Sequence, residues 1–359
     1  MKKIIALLLA WMMLLSALVG CNSPAGTPPE EEPSDNVTTE APTDTPTEPD
    51  TTQTEVGTED ETTTETNEGE NTEANVLDGK KVIFIGNSHT YYGKTVLEKK
   101  QSVLTQAARS NDQGYFYQIC KSRGAEVSVT NWTFGNHDFT DLFENCTADR
   151  GCDGVDHLSH LTDRSFDYVI MQQGSSEGTP EQFVNKCNMV MDIFKAANPD
   201  VKFVLLVQRR AHEKNYSWLS GLKVLDEQGV IIVDWGKLID DLITGETTVP
   251  GATLNYNQNS FIICKSSSDG YHPNMLTGYI TSLMTYCAIT GEAAEGQDCS
   301  FCGDTSINSH FSFSSFIGSY YTYNGATTNF DKVFASESDM AGIQRRIDQY
   351  LAKKAYLNY

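Results

Sequence analysis

Five apolar runs recur along the chain: "KVIFI" (81–85), "AEVSVTNWT" (125–133), "FDYVIM" (166–171), "VKFVLLV" (201–207) and "VIIVD" (230–234). Several of them are apolar at consecutive positions, as strands buried on both faces are. Between them lie stretches that read as helices, at about 95–110, 114–123, 179–198 and "YSWLSGLKVLDEQ". Thr179 is a candidate N-cap with Pro180 at the first helical position, and Gly124 is a candidate C-cap. Strands separated by helices of this length predict βαβ units, hence an α/β fold of three layers whose mostly parallel sheet carries helices on both sides. A strongly apolar helix, "NMLTGYITSLMTYCAIT" (274–290), closes the pattern at Gly291. In such sheets, reactive groups gather at the carboxyl ends of the strands.

That pattern begins only near residue 77. Residues 1–21, "MKKIIALLLAWMMLLSALVGC", carry two lysines, an apolar run too short to span a bilayer comfortably, and the ending Leu18-Val19-Gly20-Cys21. The ending resembles the lipobox of bacterial lipoproteins, which implies lipidation of Cys21, attachment to the membrane and exposure on its outer face. Residues 22–76 lack aromatics, Lys, Arg and His and are rich in Thr, Glu and Pro. Their 12 Glu and 4 Asp contribute −16 of the formal −22. Such a segment buries too little apolar surface to offset its ordering entropy, so a disordered tether is expected. Removing it and the two leader lysines leaves −22 + 16 − 2 = −8 for residues 77–359. No basic stripe for nucleic acid stands out there.

Residues 77–359 suffice for one α/β domain with an irregular C-terminal extension. The aromatic stretch "SHFSFSSFIGSYYTYNGATTNF" (309–330) has a turn signal at Asn324-Gly325 and reads as a packed hairpin, or as the lining of a sugar cleft. A last helix is expected from Ser338 to about Lys354. Eight cysteines follow Cys21, an even number compatible with disulfides in an exported chain. Cys146 with Cys152 and Cys299 with Cys302 are the local pairings. "CSFC" without a second CxxC or paired histidines is a poor zinc set. His157 and His160 among Asp153, Asp156 and Asp163 read as a solvated polar face. Arg209, Arg210 and His212 either face substrate or carry surface charge.

The first run ends in "IGNSHT", which displays Ser88 past a strand end beside His89. Far downstream, "SSSDGYHPNMLTGY" sets Asp269 three residues before His272, at the entrance of the apolar helix. A histidine needs a partner on one ring nitrogen to offer the other as a base, and a carboxylate three residues away can be that partner. Together the two blocks resemble the SGNH or GDSL hydrolase superfamily, and more closely a bacterial lipoprotein branch whose first block reads G-N-S-H/F-T. The resemblance covers roughly residues 80–291. It implies a flavodoxin-like fold, with Ser88 as nucleophile, His272 as general base and then acid, and Asp269 as its orienter. It further implies an oxyanion hole from the N–H groups of Ser88 and Gly135. The family's third block, G-x-N-D, is missing: the strand runs into "QQGSSE", so Gln172 or Gln173 becomes the candidate for the side-chain donor.

The implied activity is that of an exported, lipid-anchored serine esterase without metal or other cofactor. Its substrate is an ester, by family and tether an O-acetylated polysaccharide. Two alternatives share the sequence: a glycan-binding lipoprotein that has lost activity, favoured by the altered third block, and an acyltransferase using the same triad.

Overall fold

The computed structural model describes residues 74–96, 109–110, 114–135, 137–143, 156–172, 174, 178–253, 255–262, 272–303, 322–323, 326–327 and 337–359. The leader, most of the acidic segment, Asp269 and Gln173 lie outside them, as does the proposed Cys146–Cys152 pair.

In chain order, the elements are β1 (Lys81–Gly86), α1 (Ser88–Tyr91), β2 (Arg109–Ser110), α2 (Tyr115–Ser122), β3 (Ser128–Thr133), β4 (Tyr168–Gln172) and α3 (Pro180–Lys195). There follow β5 (Lys202–Leu206), α4 (Arg209–Glu213), α5 (Leu222–Glu227), β6 (Ile231–Val233), α6 (Trp235–Thr244), α7 (Gln258–Phe261) and α8 (Met275–Thr290). β7 (Thr322–Tyr323), β8 (Ala326–Thr327) and α9 (Glu337–Lys353) complete the order. Six strands form one sheet in the order β2-β3-β1-β4-β5-β6, with five parallel and β2 antiparallel at one edge. This is the three-layer α/β/α arrangement expected of the consecutive apolar runs. β7 and β8 pair antiparallel, Thr322 with Thr327 and Tyr323 with Ala326; the foreseen turn residues Asn324 and Gly325 lie outside the described residues.

Strand side chains alternate between two cores. Val82 and Phe84 of β1 join one core with α2, α6, α8 and α9, while Ile83 and Ile85 join the other with α3 and α5. Each face being covered, no position of β1 from Val82 to Ile85 can be polar without burying that polar group. Each fully buried Val, Ile or Phe contributes about 1.5–3 kcal/mol over its exposed state.

Helix ends obey local chemistry. The Thr179 hydroxyl accepts from Gln182 N–H, and the Gln182 side chain accepts from Thr179 N–H, a complete capping box. α8 is buried at every position from Met275 to Cys287, as expected of a helix apolar all round. Its hydroxyls avoid the cost of burial by donating one turn back: Thr281 to Thr277 O, Ser282 to Gly278 O and Thr285 to Thr281 O, at 2.6–2.8 Å.

The structure corrects several expectations. Of the helix foreseen over 95–110, residues 97–108 lie outside the described residues, while Arg109 and Ser110 form β2 and pair with Asn131 and Thr130. α6, read as part of no element, follows β6 at once because Asp234 accepts from Lys237 N–H and caps it. Cys299 and Cys302 are free thiols, held in a tight turn in which Cys302 N–H donates to Cys299 O. No helix among the described residues is long and apolar enough to cross a membrane.

One contact sets the distance between the two ends of the motif. Gly93, just past α1, lies directly against Gly278 of α8. A Cβ added to Gly278 would stand 1.5 Å from Gly93 O, and one added to Gly93 would stand 2.8 Å from Gly278 Cα. Both neighbours are main chain and cannot swing aside. Gly278→Ala is therefore expected to destabilise the domain by about 1–3 kcal/mol or more, the usual cost of overpacking. An unchanged urea midpoint for that variant would contradict the contact.

Candidate active site

The chain reverses direction immediately after β1. Asn87 takes an extended conformation, its Oδ1 accepts from His89 N–H at 3.1 Å, and α1 starts at Ser88. Within this turn, Ser88 and Tyr92 are four residues apart and His89 and Tyr92 three, so Tyr92 is the helical neighbour of both. β1 lies between β3 and β4, where the connections diverge to opposite sides of the sheet, the place at which α/β sheets hold ligands.

His272 arrives on that face from 184 positions away. Its Nε2 lies 2.9 Å from Ser88 Oγ. Ser88 has one hydroxyl hydrogen to donate, so Nε2 is assigned as the acceptor and Nδ1 as the protonated nitrogen. The loop carrying His272 is pinned on several sides. Pro273 pairs with Ile262, Asn274 Oδ1 caps α8 through Thr277 N–H, and Asn274 Nδ2 donates to Ser260 O at 2.7 Å. Asp269, the foreseen orienter of Nδ1, lies outside the described residues.

The strand register brings Gly135 level with Ser88. Gly86 pairs with Thr133, so Ser88 and Gly135 each stand two residues beyond a matched pair. Phe134 N–H donates to Gly86 O at 2.8 Å and holds that height. Asn87 fastens the second loop to the first: its Nδ2 donates to His137 O at 2.8 Å. His137 in turn donates from Nδ1 to Gly135 O at 2.8 Å. A Cβ on Gly135 would meet Tyr91 Oη, the far end of a side chain, at 2.9 Å.

Gln172 sits differently from its foreseen role. It is fully buried, its stem lies against Gly86, and its Nε2 donates to Leu206 O at 3.1 Å, tying β4 to β5. The amide serves the sheet rim there.

Residues that the sequence left aside also meet here. The imidazole of His272 stacks on His89, with centroids 5.2 Å apart and planes 27° apart, and packs against Tyr92 at 4.4 Å. The His89 ring therefore faces the His272 ring. It is buried, and that burial, with the charges of His272 and Arg210, holds its pKa well below the usual histidine value. The i, i+3 spacing of His89 and Tyr92 was the signal available for this face. His157 is buried against Phe134 at 4.5 Å and His137 at 5.2 Å, which replaces the solvated face expected of it. Arg209 is buried in ion pairs with Asp240 and Glu213, and His212 bonds Asp234 at 2.7 Å. Both are structural. No group of three or more metal-ligating side chains forms among the described residues.

No family model matches the chain, and neither does any curated protein. Its neighbours among solved structures are hydrolases at low identity. A protein described as a GDSL-like lipase from Parabacteroides merdae is 17% identical over 60% of this chain and 98% of its own, with a TM-score of 0.38. A carbohydrate esterase family 2 enzyme from Corynascus thermopiles is 15% identical over 60% and 67%, at 0.35. An acetyl xylan esterase from Butyrivibrio proteoclasticus is 11% identical over 60% and 64%, at 0.33. The likeness lies in the layout of the sheet and helices, and no residue role is taken from it.

Lys94, six residues beyond Ser88, is buried in a left-handed turn with φ 60°, and burial pushes its ammonium from the ordinary 10.5 down to about 7. Between those values the unfolded chain holds one proton more than the folded chain. Through this group stability rises with pH from about 7 to about 10.5, and the cost is fullest below 7. Lys94→Met removes the titration. The variant is expected to exceed the wild type in Tm at pH 7, by a margin that shrinks as the pH is raised toward 10. A pH-independent margin would contradict the assignment.

Proposed function

We propose that this chain is a serine esterase of SGNH type that removes O-acetyl groups from polysaccharide. The observation that carries the reading is the 2.9 Å hydrogen bond between Ser88 Oγ and His272 Nε2, at the carboxyl end of the central strand. A serine hydroxyl is a weak nucleophile until an adjacent base takes its proton.

In the proposed reaction, Ser88 Oγ attacks the ester carbonyl while His272 Nε2 accepts the Oγ proton. Negative charge develops on the carbonyl oxygen, where the main-chain N–H groups of Ser88 and Gly135 are the proposed donors. One such donor is worth about 3–4 kcal/mol in the transition state. His272 then gives its proton to the departing alcohol oxygen, leaving an acyl group on Ser88. Water, deprotonated by the same Nε2, releases the acid and restores the hydroxyl. Asp269 is the proposed partner of Nδ1. It would hold the tautomer and stabilise the imidazolium.

The sugar ester is inferred from the family resemblance and from the acidic segment. A lipid on Cys21 and an extended arm over residues 22–76 would let the domain reach glycans beyond the membrane surface. A single acyl chain holds only marginally, so the proposal requires the multiple acylation of bacterial lipoproteins. Cys21→Ser is expected to move the protein from the membrane pellet to the soluble fraction, and unchanged partition would remove the anchor.

Turnover of p-nitrophenyl acetate and acetate release from acetylated xylan, mannan, pectin and peptidoglycan test the chemistry. Ser88→Ala is expected to lower the rate by at least about a thousandfold. Equal rates for the two proteins would exclude Ser88 as nucleophile.

A further inference from the structure

We propose that His89 is a positioning residue for the base: the turn that presents the nucleophile also grips His272 through the rings of His89 and Tyr92. This inference rests on the esterase reading and goes beyond it, because it concerns the rings that hold the base and not the pair that reacts. Three observations carry it. His89 and His272 are near-parallel at 5.2 Å, and Tyr92 packs on His272 at 4.4 Å. His89 is buried and its own backbone is fixed by Asn87 Oδ1, so its ring has a set place. Ser88, His89 and Tyr92 belong to one helical turn, so hydroxyl and clamp move together as a rigid unit.

A base that is gripped in this way is held along one line to Ser88 Oγ, where an ångström of drift costs about a hundredfold. The clamp must also be neutral. When His272 takes the proton it becomes an imidazolium, and a second charged ring at that distance would oppose it. The titratable or charged groups that bear on His89 are His272 and Arg210, and both favour its neutral form, as does burial. His89 can therefore stack on His272 as a neutral ring while His272 carries the proton. Removing its ring admits water to one side of His272, which favours the charged imidazole and moves the acid limb of the rate profile to higher pH.

The test uses the full chain and an alkyl fluorophosphonate, whose P–F bond is broken by the attacking Ser88 Oγ with loss of fluoride and of the hydroxyl proton. Labelling rate is followed from pH 5 to 9 for the wild type, His89→Leu and His89→Phe. Leu has no flat ring to cover the face of His272, and Phe restores a neutral ring. The expected result is a rate about tenfold to a hundredfold lower for Leu, an acid limb displaced upward, and recovery of most of the lost rate with Phe. Tyr92→Leu is expected to act in the same direction and serves if His89→Leu does not fold. Leu variants that fold, label as fast as the wild type and keep its acid limb would overturn the clamp while leaving Ser88 and His272 in place. A wild type that does not label at Ser88 would overturn the esterase reading and the clamp with it.

Discussion

The main-chain contact between Gly93 and Gly278 decides how closely the two halves of the site approach. The Ser88 turn follows β1, and His272 precedes α8, so their separation is the separation of that turn from the first turns of α8. With no side chain at either glycine, backbone meets backbone. The distance thus set lets an imidazole reach a serine hydroxyl 184 positions earlier at 2.9 Å. The burial of α8 on all sides keeps the helix from sliding, and the Asn274 cap keeps its first turn from fraying.

Around this contact the polar groups fasten loops to one another. Asn87 has a dual use: its oxygen caps α1, and its nitrogen holds the carbonyl of His137. His137 then fixes Gly135 O, so the Ser88 turn and Gly135 are joined through hydrogen bonds. Gln172 and Gln208 close the neighbouring strand ends, with amide nitrogens on Leu206 O and Gly174 O. All but the part-buried His137–Gly135 bond are buried, where an unmade one costs about 1–3 kcal/mol.

The sheet and most helices were legible in the sequence because covered strands leave consecutive apolar runs, and because Thr179-Pro180, Gly124 and Gly291 end helices by local chemistry. α6 was missed because Asp234 both closes the run "VIIVD" and starts the next helix. β2 was missed because two residues of edge strand form only through pairing with β3, which no local pattern records. At the site, the convergence of Ser88 and His272 was foreseen from two motifs, whereas the ring contacts of His89 and Tyr92 depend on where His272 arrives in space. The burial of His157 and the pairing of His212 with Asp234 likewise come from elements distant in sequence. Gln172 could be placed at a strand end by counting, but its hydrogen-bond partner lies on the neighbouring strand.

The central claim is that Ser88 and His272 form one reactive pair in a site shaped for a tetrahedral oxyanion. A crystal structure of the protein after treatment with a fluorophosphonate tests it most directly. The account predicts a phosphoryl group bonded to Ser88 Oγ, its free oxygen at about 2.7–3.1 Å from the main-chain nitrogens of Ser88 and Gly135, and His272 beside the ester oxygen. An unmodified Ser88, or a phosphoryl oxygen turned away from Gly135, would contradict it.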